Sequence, residues 1–250
     1  MLLAIDIGNT NIVIGLFSDG ALVRHRRTAT DTGRAPGEYG AELKEFVGPE
    51  AGLEGAIIAS VVPPLDGVFR EAVSKHLGVK PLLVGADITP RMPVLTDDPS
   101  EVGSDRIVNA VAAYALYKTD LIVVDFGTAV TFDYVTARGE YSGGLIAPGI
   151  AISALALHEK TAKLPKVEVR RTSTVIGRNT VESMRSGIFW GFIGLVDGII
   201  ERMINEVEGS PKIIATGGLA PLVVGSSVYI TGADEFLTLK GLHIIYEGKG

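Results

Sequence analysis

The chain opens with three short apolar runs separated by turn residues. Residues 2–7 (LLAIDI), 11–17 (NIVIGLF) and 21–28 (ALVRHRRT) are rich in β-formers, and Gly8-Asn9 and Asp19-Gly20 divide them, which predicts three consecutive strands. The period then changes. Residues 36–47 carry apolar positions at helical spacing behind Pro36. Residues 55–62 are a continuous apolar run closed by Pro63-Pro64, residues 65–77 return to helical spacing, and 80–84 form a short strand. A polar linker over 86–99 leads to a helix predicted over 100–117. The second half repeats the sequence of periods. Strands are predicted at 121–126 (LIVVDF), 131–135 and 144–146, and a helix over 148–158. A polar connection spans 161–174, and a glycine-containing helix spans 179–207. A strand over 212–216 ends at Gly217-Gly218.

Two echoes link the halves. LAIDIGNT, around Asp6, and IVVDFGTA, around Asp125, both end a strand in Asp and follow it with x-Gly and a small residue. Ile57-Ile58-Ala59-Ser60 and Ile213-Ile214-Ala215-Thr216 recur in the same order further on. Repetition in order predicts a duplicated α/β unit, with lobes over 1–117 and 118–250. Ligands of α/β folds gather at the carboxyl ends of strands, so a cleft receiving both Asp6 and Asp125 is expected.

Composition narrows the classes. Of 250 residues, 46% are hydrophobic, enough for a substantial core rather than disorder. The net charge of −6 argues against nucleic-acid binding, and the basic cluster Arg24-His25-Arg26-Arg27 reads as a solvated strand face. No cysteine is present, which removes disulfides and thiol chemistry. The apolar stretch from Gly187 to Val196 is too short to span a bilayer, and the first residues do not form a signal peptide, so a cytoplasmic protein without membrane contact is expected. His25, His76, His158 and His243 lie far apart and give no metal-ligand spacing. Trp190, beside Phe189, Phe192 and Ile193, suits a core or a subunit interface.

The candidate chemistry begins with Asp6-Ile7-Gly8-Asn9-Thr10-Asn11. Gly8 allows a tight turn and close approach to a ligand, and exposed N–H groups and the Thr10 hydroxyl can donate to phosphate oxygens. Asp6 fits beside phosphate if Mg²⁺ lies between them. A plain hairpin turn accounts for the same residues. Asp125 to Thr128 offers the same tools again, and Gly217-Gly218 would let a nucleotide lie against backbone. No Walker or G-x-G-x-x-G loop is present. In Pro99-Ser100-Glu101-Val102-Gly103-Ser104-Asp105-Arg106, Arg106 can clamp a carboxylate and Asp105 can accept a proton from an attacking alcohol. A helix start with an acid in its first turn is the structural alternative.

These motifs resemble, in order, those of the type III pantothenate kinases, members of the acetate kinase, sugar kinase, Hsp70 and actin superfamily. The matching segments are DIGNTN (Asp6 to Asn11), PSEVGSDR (Pro99 to Arg106), DFGTAVTFD (Asp125 to Asp133), GGLIAPG (Gly143 to Gly149), KTAKLP (Lys160 to Pro165), GRNTVESMRSG (Gly177 to Gly187) and TGG (Thr216 to Gly218). The resemblance implies a duplicated ribonuclease H-like, actin-like ATPase fold with two lobes around a nucleotide cleft. It also implies ATP-dependent phosphorylation of pantothenate, the first step of coenzyme A synthesis. In that pattern Asp6 to Asn11 form the phosphate loop, with Asp6 near Mg²⁺. Asp105 is the base, and Gly103, Ser104 and Arg106 touch the substrate. Asp125 holds a monovalent cation, K⁺ or NH₄⁺, Thr128 meets an ATP phosphate, and Thr180 reaches substrate across a homodimer. Two positions depart from the pattern: Thr96 stands where many relatives carry an aromatic substrate contact, and Ser104 replaces alanine, a small change. A non-catalytic regulator on the same fold, or a sugar or acetate kinase, are the other readings; the missing basic face and EVGSDR disfavour them.

Overall fold

The computed structural model describes residues 1–49 and 52–248, which form two compact units. The first contains β1 (Leu2–Ile7), β2 (Asn11–Ser18), β3 (Ala21–Ala29), α1 (Pro36–Val47), β4 (Gly55–Ser60), α2 (Pro63–Leu77), β5 (Pro81–Leu83) and α3 (Ser104–Tyr117). Its sheet runs β3-β2-β1-β4-β5. β1 sits at the centre, antiparallel to β2 and parallel to β4. Strand alternation sorts its side chains. Leu3, Ile5 and Ile7 join Ile12, Ile14 and Leu16 under Tyr39, Leu43 and Phe46 of α1 and Leu65, Phe69 and Val73 of α2. Leu2, Ala4 and Asp6 form the opposite file. On the edge strand β3, Arg24 and Arg26 lie over the Phe46 ring at 5.9 and 5.4 Å, so the basic cluster covers a core aromatic and charges an open sheet edge.

The second unit contains β6 (Leu121–Phe126), β7 (Ala129–Val135), β8 (Tyr141–Pro148), α4 (Ile150–Glu159), α5 (Thr180–Glu206), β9 (Lys212–Thr216) and a single helical turn, α6 (Ala220–Val223). The order β8-β7-β6-β9 repeats β3-β2-β1-β4, with β6–β7 antiparallel and β6–β9 parallel. A parallel bridge from Ala215 to Ala233 stands where the first unit has β5. Ile122, Val124 and Phe126 face Phe189, Phe192, Ile193 and Val196 of α5. The predicted duplication is therefore present in the strand order of both sheets.

Two expectations need correction. The predicted helix over 100–117 is divided: a 3₁₀ turn (Pro99–Glu101), capped by Asp98, precedes Val102-Gly103, and α3 starts only at Ser104. The second lobe, expected over 118–250, ends earlier. α7 (Leu237–Gly248) belongs to the first unit, packing on α3, β1, β2 and β4; residues 249–250 lie outside the described residues. Small residues let α7 in. A Cβ at Gly241 would overlap the Val108 carbonyl, one at Gly55 would overlap Tyr246, and one at Gly15 would press on Leu239. Thr238 donates to the buried Asn109 side chain at 2.8 Å, and His243 stacks on Phe17 at 4.7 Å. Among the described residues no helix is long and apolar enough to cross a membrane.

Gly241→Val should thus force α7 from α3 and cost about 1–3 kcal/mol, as overpacking does. Gly67→Ala, in an exposed position of α2 with open space around it, should stabilise by about 0.5–1 kcal/mol. Urea unfolding of the two variants checks both signs.

Candidate active site

In the first unit the candidate residues collect at the carboxyl end of β1. Asp6 is half-buried, in register with Val13 on β2 and Ala59 on β4. The following turn is tight. Gly8 N–H donates to the Asn11 carbonyl at 3.0 Å, leaving Asn9 and Thr10 exposed at the tip. A Cβ on Gly8 would lie 3.0 Å from the Asn11 oxygen, so the close approach calls for glycine. Neither Asn9 nor Thr10 has a positive φ, so this is a hairpin but not the primed two-residue turn that Asn-Gly sequences favour. Thr30 braces it, its N–H donating to the Thr10 carbonyl at 3.0 Å and its hydroxyl to the Gly8 carbonyl at 2.6 Å.

At the same end of this sheet lies the start of α3. The Ser104 hydroxyl donates to the Ser60 carbonyl at 3.0 Å and accepts from the Ser60 N–H at 3.2 Å. Ser60 pairs with Ile7, so this closed pair of bonds anchors the helix one residue beyond the Asp6 level. The side chain of Ser104 is thereby committed to backbone, a role that alanine could not fill. Asp105 comes next, half-buried, its Oδ1 accepting the Arg106 N–H at 2.8 Å. Burial pushes its carboxyl above the usual range, against the lowering influence of that hydrogen bond and of the Arg106 charge. Gly103 makes the space: a Cβ there would sit 2.5 Å from Asp105 Oδ1. A carboxylate that is hard to keep charged, beside a guanidinium and a solvent-facing strand end, is suited to accepting a proton.

The second unit repeats the strand-end acid with a shorter turn. Asp125 pairs with Thr131 and Phe126 with Val130, so Gly127 meets Ala129 (N–H to carbonyl, 3.0 Å) and Thr128 alone forms the tip, exposed. The Thr128 carbonyl accepts from Gly149 N–H at 3.2 Å, and a side chain at 149 would overlap it, which explains the glycine closing GGLIAPG. Gly217 has φ +90° and approaches Asp125 so closely that a Cβ would overlap its Oδ1; Gly218 is exposed.

The remaining candidates are placed as follows. Thr96 is half-buried, and its hydroxyl has no hydrogen-bond partner. Thr180 is exposed as the first residue of α5, capped by Asn179, whose side chain accepts from Glu182 N–H at 2.9 Å. Capping accounts for much of GRNTVES. Ile7 is core. Of the histidines, His25 is exposed, His76 fills the space beside Gly40, and the His158 Nδ1–H donates to the Leu164 carbonyl at 2.7 Å. Trp190 donates to Thr172 at 3.0 Å. Among the described residues no three acids or histidines cluster as a metal cage. A lone carboxylate at Asp6 still fits Mg²⁺, which takes one or two carboxylates and otherwise waters and phosphate oxygens. Sequence reasoning passed over Thr30, Ser60, Thr131 and Thr216. The IIAS and IIAT echoes were the available signal for two of them, since each ends in a hydroxyl residue at the end of the strand parallel to the one that carries the acid: Thr216 level with Asp125, and Ser60 one residue beyond Asp6.

Two sheets of like order, each with an acid ending its central strand, define a duplicated ribonuclease H-like fold of the actin-like ATPase and sugar kinase class. A ROK family glucokinase from Streptomyces griseus shares it at TM-score 0.55 and 13% identity, covering 96% of each chain. An inorganic polyphosphate/ATP-glucomannokinase from Arthrobacter does so at TM-score 0.51 and 16% identity, over 100% of this chain and 99% of that one. Within the class the family is specific: the chain belongs to the type III pantothenate kinases, whose family model matches residues 2–202. Type III pantothenate kinases of Geobacter sulfurreducens and Pelobacter propionicus are each 52% identical to it. The matches cover 99% of this chain and 98% and 99% of those proteins.

The raised Asp105 pKa carries a stability consequence. The native state binds this proton more tightly than the unfolded chain does. Its contribution therefore declines as pH rises from about 3.9, the unfolded value, through the raised native value, and is unfavourable at neutral pH. Asp105→Asn should melt at or above the wild-type temperature at pH 7, with the gap shrinking towards pH 4. A lower melting temperature at pH 7 alone would contradict the assignment.

Proposed function

We propose that the chain transfers the γ-phosphoryl group of ATP to the primary alcohol of pantothenate, giving 4′-phosphopantothenate and ADP, the first step of coenzyme A synthesis. The observation that carries this reading is Asp105: a half-buried carboxylate of raised proton affinity, next to Ser104, which is tied to Ser60 one residue beyond the level of Asp6. As the alcohol oxygen attacks the γ-phosphorus and the bond to the bridging oxygen of ADP breaks, the hydroxyl proton passes to Asp105. Arg106 pairs with the pantothenate carboxylate, and Gly103 and Ser104 line the substrate beside it. Thr96 is retained as a substrate contact on the strength of its partnerless hydroxyl. The turn from Gly8 to Asn11 offers N–H and hydroxyl donors to phosphate, Thr128 is assigned a phosphate contact, and Gly217-Gly218 is assigned to the nucleotide. Mg²⁺, when bound, neutralises phosphate charge, with Asp6 as its protein ligand; Asp125 is assigned a monovalent cation, K⁺ or NH₄⁺.

The reading includes a homodimer in which Thr180 reaches the partner's substrate. It is supported by the exposure of Thr180 and by Leu145 and Ile146 on β8 and Ile152, Leu155 and Leu157 on α4, which are large apolar side chains in solvent. Sedimentation should give a dimer, and mixing Thr180→Ala with Asp105→Asn protein should restore part of the activity if sites are shared.

The deciding assay follows ADP release from Mg-ATP and K⁺ with pantothenate or with a panel of sugars and acetate. Turnover is expected with pantothenate alone. Asp105→Asn should lower kcat by roughly 10²–10⁴-fold, the usual contribution of a general base, and Asp6→Ala should abolish detectable turnover. Activity with sugars only, or an Asp105→Asn enzyme as fast as wild type, would overturn the reading.

A further inference from the structure

Asp125 has oxygen-bearing neighbours on both sides. Its register partner on β7 is Thr131 and on β9 is Thr216. Register partners share a face of a sheet, and the other face at this level is occupied by Val124, Phe126, Phe132 and Ala215 in the core under α5. The row Thr131–Asp125–Thr216 therefore lies across three adjacent strands on the face away from α5.

Thr216 is 1% exposed, and its hydroxyl has no hydrogen-bond partner. Buried hydroxyls are nearly always partnered, so this one points to a ligand. The chemistry of that ligand follows from Asp133. This carboxylate is 0% exposed and accepts from the Tyr141 hydroxyl at 2.6 Å and from the Thr131 hydroxyl at 3.1 Å. A threonine has one hydroxyl proton; Thr131 gives it to Asp133 and has only lone pairs left. A carboxylate, an oxygen whose proton is committed and a partnerless hydroxyl oxygen make a row rich in lone pairs, with one free O–H at Thr216. With the Asp125 carboxylate at its centre, such a row suits a cation better than an anion. Gly217, at φ +90°, keeps the backbone against Asp125 where any side chain would collide with Oδ1.

We propose that Thr216 is a direct oxygen ligand of the monovalent cation assigned to Asp125, and that Asp133 sets Thr131 as an oxygen donor to the same ion. The proposal rests on the Asp125 reading. Thr216 is the part that is new, on the strength of its buried, partnerless hydroxyl.

The test is thermal unfolding of the nucleotide-free protein titrated with KCl, NH₄Cl or NaCl at constant ionic strength, with no turnover needed. Wild type should be stabilised saturably by K⁺ and NH₄⁺ and less by Na⁺. Thr216→Val keeps the shape and removes the hydroxyl. Without K⁺ it should melt at or above wild type, since no buried hydroxyl is left unpaired. Its apparent K⁺ affinity should fall by about 10–100-fold, the range seen when a residue supporting a metal site is lost. Thr216→Ser should restore the K⁺ response. If Thr216→Val does not fold, Thr216→Ala carries the same expectation for affinity. An unchanged K⁺ affinity in the hydroxyl-free variant, with Asp125→Asn abolishing the response, would overturn Thr216 alone. A wild-type protein without any K⁺-specific shift would remove the Asp125 assignment and this proposal with it.

Discussion

The hydroxyl of Ser104 decides where α3 begins, and the first unit's chemistry depends on that position. By donating to and accepting from the backbone of Ser60, it ties the helix to β4 at the level where β1 ends. Helix starts ordinarily have latitude of a residue or two. Here a shift of one residue would rotate Asp105 by about a quarter of a turn, out of the buried setting that raises its proton affinity. Gly103 is the other half of the constraint, since the carboxylate occupies the space where a Cβ would be. The Asp105 carboxylate, the proposed proton acceptor, is thus held by a hydrogen-bonded pair and a missing side chain.

The second unit repeats the strand order with different neighbours around its acid. Both central strands end in Asp between an antiparallel and a parallel neighbour. In the first unit the tip holds Asn9 and Thr10, and the parallel neighbour offers Ala59 beside the acid. In the second, the tip is Thr128 alone and the neighbours of the acid are both threonines. The first arrangement leaves the acid one polar file against small apolar residues and an exposed donor loop. The second flanks it with two hydroxyl side chains. That asymmetry supports the proposal that Asp6 and Asp125 serve different ions.

Much of this was legible along the chain. β1, α1, β6 and β9 fall where their periodicities put them, because each is long, strongly patterned and bounded by proline, glycine or a change of period. The strand-end acids and the glycines after them were visible as motifs. The start of α3 was not, because Ser100 and Glu101 are good helix-start residues and only the place of Asp105 in the folded unit shows why the helix waits for Ser104. Ser104 itself, a small departure from alanine in sequence, proves to make two backbone hydrogen bonds. The last helix was missed altogether, and its membership of the first unit depends on close approaches to Gly15, Gly55 and Val108, far away in the chain.

What the sequence determines by itself is local and ordered: alternating periods, a repeated unit, acids at strand ends, and motifs sufficient for the family. Periodicity and turn chemistry act over a few residues, so one chain suffices to reveal them. What only the tertiary structure decides is register. That Asp125 lies between Thr131 and Thr216, that Asp133 takes the proton of Thr131, and that Ser60 meets Ser104 are matters of which strands and helices lie side by side. The pairing brings together residues as much as about ninety positions apart, and hydrogen-bond geometry, with its narrow range of distances, selects among the neighbours that result.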